Sequence, residues 1–139
     1  MNLIDRAFLL KKTMIFNSLD MDLLLAISDK TEIMVFKPGS KIFSKRQSGF
    51  SLYIIAEGYV KISQEDPYSN VTLKSEDCFG EESLFNNKPR EYDAEAITQV
   101  RLLILSKGQF FSIIEECPSV ALALLELYTK QITFRSVQA

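Results

Sequence analysis

Leu3, Ala7, Leu10 and Met14 recur at helical spacing, which predicts a helix over residues 2–16 with one apolar side. Asn17 or Ser18 is the expected cap of a second helix that runs to Ser28 and carries Leu23, Leu24 and Ile27. Between Thr31 and Phe36 the pattern shifts to strand, and Pro38-Gly39 supplies a turn. Short strands are then predicted at 41–44, 51–56, 58–63, 70–74, 78–80, 92–97 and 99–105. Gln47-Ser48-Gly49 and Glu57-Gly58 punctuate them, and the polar run from Gln64 to Asn70 reads as an exposed hairpin tip. Ser106 is the expected cap of a helix over 107–116 bearing Phe110, Phe111, Ile113 and Ile114. Pro118 breaks that pattern and opens a last helix reaching about Arg135, with Val120, Ala121, Leu124, Leu125, Tyr128 and Ile132 on a stripe. Leu122, Ala123 and Leu127 widen the stripe, so it suits either covering the chain's own strands or pairing with a second copy.

Many short strands with close turns favour a small closed or double-sheet architecture, while βαβ units would need crossover helices between strands. The expected class is therefore mainly β with flanking helices. It is an antiparallel β-roll, a double-stranded jelly roll, over 31–105, with N-terminal helices over 1–30 and a C-terminal helix pair over 106–139. One domain spanning 1–139 accommodates all of it.

Composition supports a packed interior: 47% hydrophobic residues against 24% charged, with ten Phe and five Tyr. A net charge of −2 gives nucleic acid no bulk attraction. Basic residues gather at Lys11-Lys12 and from Lys37 to Arg46, a solvated face or a partner patch. No histidine is present, which removes the usual general base and zinc ligand, and two cysteines, Cys78 and Cys117, make no metal spacing. No required cofactor, no metal and no enzymatic activity are expected, because no residue pair looks like a base with a nucleophile. The apolar stretch from Ala7 to Leu10 is too short to span a bilayer and lacks the features of a signal peptide, so the expectation is a cytoplasmic protein without a membrane segment.

The segment Phe79-Gly80-Glu81-Glu82-Ser83-Leu84, followed by Pro89-Arg90, holds the candidate chemistry. Gly80 lets the backbone approach a ligand, Glu81 accepts hydrogen bonds from a diol, and Arg90 offers a planar fork of donors that matches a phosphate. A short helix over 83–87 would add amide donors at its start. Plainer roles are open beside these: Arg90 as a strand-end arginine, Glu81 bonded to nearby backbone, and Phe79, Tyr92, Cys78 and Cys117 as core residues.

Phe79-Gly80-Glu81, Leu84, Pro89-Arg90, Ala94 and Ala96 resemble, in order and spacing, the phosphate-binding cassette of the cyclic-nucleotide-binding domain family, which includes the catabolite activator proteins and kinase regulatory subunits. Phe36-Lys37-Pro38-Gly39, Gly49, Tyr53-Ile54-Ile55, Gly58, Val60 and Asp77 extend the resemblance, as do Leu10-Lys11-Lys12, Phe16 and Leu19, so that it covers about residues 9–134. The resemblance implies that Arg90 holds the phosphate and Glu81 the ribose 2′-hydroxyl. It also implies that the Gly80 and Glu82 backbone lines the pocket and that the last helix moves over the base. Arg135 and Ser136 fall near the family's base-reading positions.

The chain departs from that pattern. Glu91 and Asp93 stand where alanine or serine and threonine or serine are usual, Arg46-Gln47 replaces a Gly-Asp pair, Phe50 an aspartate, and Glu76 a glycine. Residues 76–95 hold seven acidic against two basic side chains. Strand alternation would turn Tyr92, Ala94 and Ala96 inward and Glu91, Asp93 and Glu95 to water, with Glu91 free to pair with Arg90 in place of a phosphate. Two functions follow as expectations. One is a regulatory module that binds a cyclic mononucleotide, cyclic AMP or cyclic GMP, at Phe79, Gly80, Glu81, Glu82, Arg90, Glu91 and Tyr92, and couples occupancy to the C-terminal helix. The other keeps the fold without nucleotide, for protein–protein interaction or dimerisation. A homodimer through 118–135 and an effector protein are the expected partners. DNA is not, because no recognition helix follows the last helix before Ala139.

Overall fold

A computed structural model describes residues 1–130 and 132. In chain order its elements are α1 (Leu3–Lys11), α2 (Met21–Asp29), β1 (Glu32–Phe36), β2 (Lys41–Phe43), β3 (Ser51–Glu57), β4 (Val60–Ser63), β5 (Val71–Leu73), β6 (Cys78–Phe79), β7 (Asp93–Ala96), β8 (Val100–Ser106), α3 (Lys107–Glu116) and α4 (Ser119–Thr129). The strands form two four-stranded antiparallel sheets, ordered β1-β8-β3-β6 and β2-β7-β4-β5, which is the expected β-roll.

β3 and β8 sit at the centre of the first sheet and are buried on both faces. Leu52 and Ile54 of β3, with Leu103 and Leu105 of β8, pack under the helices against Leu10, Phe16, Ile27, Phe110 and Leu124. Ile55, Val100 and Leu102 turn the other way and meet Phe43, Val60, Ile62, Phe79, Ala94 and Ala96 of the roll interior. Two buried faces require unbroken apolar runs, as in Leu102-Leu103-Ile104-Leu105. β4 has one buried face and alternates, with Val60 and Ile62 buried and Lys61 exposed.

The helical ends differ from the sequence reading. α1 stops at Lys11, because the buried Thr13 hydroxyl donates to the Leu10 carbonyl (2.7 Å) and accepts from the Phe16 amide (3.2 Å), giving the chain a local alternative to helix. Met14 consequently lies outside the helix and is exposed. The cap of α2 is Asp20, whose carboxylate accepts from the Leu23 amide at 2.9 Å, and neither Asn17 nor Ser18. α4 is described over Ser119–Thr129 with Lys130 as its cap; the expected reach to about Arg135, with Arg135 and Ser136 themselves, lies outside the described residues. Val120 and Leu124 of α4 are buried, whereas Leu122 and Leu125 face outward. Among the described residues no helix is long and apolar enough to cross a membrane.

Candidate functional site

Gly80 ends β6 and starts a four-residue 3-10 helix, Glu81–Leu84, which stands in place of the helix expected over 83–87. Its backbone is left-handed (φ 84°), and a side chain there would press on Arg90 Nη1 and the Ser51 carbonyl. The buried Ser83 hydroxyl donates to the Gly80 carbonyl at 2.9 Å and tightens the turn. The Gly80 amide donates to the Tyr92 hydroxyl at 2.9 Å, so it is occupied within the protein and not turned outward as a donor for an anion.

Arg90 is 3% exposed. Its Nη1 donates to the Gly80 carbonyl (2.9 Å) and to Glu82 Oε1 (3.2 Å), and its Nη2 donates to the Ser51 carbonyl (2.9 Å). The guanidinium lies 4.2 Å from the Phe43 ring centroid. Main-chain bonds to the turn before β3, from Arg46 N to Arg90 O and from Arg90 N to Gln47 O, hold the residue at the roll's rim. Gly49 is required beside it, since a Cβ there would overlap Arg90 Nε.

The partner of Arg90 is therefore Glu82. Glu91, expected as the internal substitute for a phosphate, is exposed at the surface. The reason is geometric: Glu82 sits on the 3-10 turn that faces the guanidinium. Its second oxygen, Oε2, lies 3.2 Å from the Tyr92 hydroxyl. That hydroxyl already accepts from Gly80 N, so its own proton points to Glu82. Burial, and next the Glu82 charge, push the Tyr92 phenol well above its ordinary range. Phe79 stacks on Tyr53 with centroids 5.1 Å apart, and both lie near Phe43, so the interior beside Arg90 is aromatic.

Glu81 faces elsewhere. It lines a cleft of about 410 Å³ beneath α4, together with Lys12, Met14, Cys78 and Tyr128. Its Oε2 is buried and has no hydrogen-bond partner among the described residues. Burial raises its carboxyl pKa, and the nearby Glu82 charge adds to the rise. The same cleft pushes the Tyr128 phenol up to about 12, through burial first and the Glu81 charge second. The Cys78 thiol also stands at about 12, raised chiefly by burial, which makes it unreactive.

Ala94 and Ala96 turn inward as the alternation requires. Asp93 is half-buried and accepts from the Lys45 amide at 2.7 Å, so its carboxylate serves the β2–β3 connection. A surface basin of about 540 Å³ outside Pro89-Arg90 is lined by Lys45, Arg46 and Lys88 as well as Glu65, Asp66 and Glu91, which offsets the local acidic excess. The sequence reading missed the Glu82 side chain, Phe43 and the Ser51 carbonyl. The question that finds Glu82 is which nearby carboxylate neutralises a buried arginine.

Residues 33–117 match the family model described as cyclic nucleotide-binding domain. The chain is 28% identical over 128 residues to a CRP-like cAMP-activated global transcriptional regulator of Mycobacterium tuberculosis, covering 89% of this chain and 57% of the regulator. It is 32% identical over 124 residues to the human cyclic nucleotide-gated channel alpha-2, covering 84% of this chain and 19% of the channel. The chain thus spans little more than half of the regulator's length and a fifth of the channel's. Among solved structures, the N-terminal domain of a transcriptional regulator from Streptomyces coelicolor A3(2) superposes with a TM-score of 0.81 at 27% identity, covering 88% of this chain and 89% of that one. The cAMP-bound PfPKA-R (141–441) superposes with a TM-score of 0.70 at 27% identity, covering 80% and 41%.

Proposed function

The chain belongs to the cyclic nucleotide-binding domain family, and on that premise we propose a non-enzymatic regulatory module that takes a cyclic mononucleotide at Arg90 and passes occupancy on through α4. The observation that carries this reading is the state of the Arg90 guanidinium. Two backbone carbonyls fix its plane, and its remaining hydrogen-bond partner is a side chain that reaches water, since the Glu82 side chain is 36% exposed. A fixed fork with an exchangeable anion is what reversible capture of a phosphate diester needs. The cAMP named with the regulator and with PfPKA-R supports the same ligand class. Glu81, with an oxygen unspent and Tyr128 of α4 across its cleft, is the acceptor we assign to the ribose hydroxyl and the contact through which α4 senses it.

Calorimetric titration of the chain with cyclic AMP and cyclic GMP tests this. Saturable binding that Arg90→Ala abolishes is expected, and absence of heat with both nucleotides at millimolar concentration would sink it.

A second reading is favoured by one observation: Glu82, itself held by the Tyr92 hydroxyl, already pairs with Arg90, while Leu122 and Leu125 of α4 are left exposed. In this reading the fold serves as a dimerisation or effector-binding module without nucleotide. Sedimentation should then find a nucleotide-independent dimer that Leu125→Glu dissolves, and a monomer at all concentrations would reject the dimerisation form of this reading.

A further inference from the structure

We infer that Glu82 is a built-in competitor for the ligand's phosphate, and that Tyr92 is the second donor it yields when it leaves. The inference rests on the reading of Arg90 as the anion anchor.

A guanidinium this deeply buried needs a counter-charge, and four carboxylates lie close to it in sequence. Glu91 and Asp93 are directed to the surface and to the Lys45 amide, and Glu81 turns into the cleft under α4. Glu82 alone among these reaches Arg90. Both of its oxygens are engaged: Oε1 accepts from Arg90 Nη1 and Oε2 from the Tyr92 hydroxyl, each at 3.2 Å. One anionic group thus bridges a charged donor and a phenol. A phosphate diester also presents two unesterified oxygens, so it can take over the same pair of donors. Glu82 and such a phosphate cannot both be seated.

The carboxylate is also placed to leave. It projects from a four-residue 3-10 turn behind the left-handed Gly80, and it is the most exposed member of the cluster. Its release leaves Arg90 on the Gly80 and Ser51 carbonyls, still aimed. The same turn ends in the buried Leu84, and the next residue, Phe85, meets Phe110 of α3 edge-on at 5.6 Å. Exchange at Glu82 therefore acts on the turn that touches the C-terminal helices.

The test titrates sodium sulfate, cyclic AMP and cyclic GMP separately into the wild-type chain and Glu82→Gln, by calorimetry and thermal shift, at ionic strength matched with chloride. Glu82→Gln should melt below wild type without added anion. It should bind sulfate, or a cyclic nucleotide, about tenfold more tightly, because a charge-assisted internal rival has been removed. Adding Arg90→Ala should cancel the gain. Glu82→Asp, too short to reach both donors, should give a smaller gain in the same direction and serves if Glu82→Gln does not fold. Equal affinity in wild type and both variants, within about twofold, overturns the inference, and so does failure of every form to bind any of the three anions. Equal nucleotide binding by wild type and variants keeps the ligand reading and removes the competitor. A gain confined to sulfate keeps the competitor and removes the nucleotide.

Discussion

Arg90 and Glu81, the two charged groups expected to share one ligand, are buried in opposite ways. The arginine is 3% exposed yet has two carbonyls, a carboxylate and an aromatic face around it. The glutamate is less buried yet keeps one oxygen without a partner among the described residues, above an open cleft. The surroundings of Arg90 are closed and those of Glu81 are open. The protein has balanced the cation from within, through Glu82, and left the carboxylate unbalanced among the described residues, so burial alone does not tell which group lacks a partner.

The largest perturbation of this contrast is Arg90→Ala. It strips Glu82 and two carbonyls of their donor and should lower unfolding free energy by about 2–3 kcal/mol in urea denaturation, below the loss for a fully buried pair because Glu82 reaches water. Next is Gly49→Ala, whose new methyl group displaces the guanidinium. It should cost about 1–3 kcal/mol alone and almost nothing in an Arg90→Ala background, a non-additivity measured by a double-mutant cycle. Full additivity would mean that the guanidinium is not packed against Gly49.

Glu81→Gln is the smallest and has the opposite sign. Burial raises the Glu81 carboxyl pKa, so its favourable contribution is complete below the unfolded value and is lost as pH rises through the folded one. Replacing it should therefore stabilise the chain at pH 7 by about 1 kcal/mol. The advantage should fade on acidification and vanish below the ordinary glutamate value of about 4.3. Melting temperatures across that range check the sign, and a gain that grows in acid would contradict it.

The strands were legible because their apolar runs and turn residues coincide: Gly58 and the polar 64–70 stretch bound β4 where the spacing places them. The ends of α1 and α2 were not, since they depend on which polar side chain wins a local hydrogen bond, Thr13 in one case and Asp20 in the other. Gly80, Glu81 and Arg90 could be picked out by residue type and spacing. What closes on Arg90 could not, because Ser51 is 39 positions away in sequence and Glu82 reaches the guanidinium through the left-handed turn at Gly80. Glu82 and Glu91 look equivalent in the sequence; the 3-10 turn separates their fates.

The aromatic lining beside Arg90 carries an optical consequence. The chain has no tryptophan, so its near-ultraviolet signal at wavelengths beyond the weak phenylalanine bands comes from five tyrosines, and two of them, Tyr53 and Tyr92, stand at this guanidinium. The Tyr92 phenol donates to a carboxylate while Glu82 is seated and to another group once it leaves. Tyrosine emission and near-ultraviolet circular dichroism therefore report the exchange from inside the protein, in unlabelled material and on the timescale at which ligand is mixed.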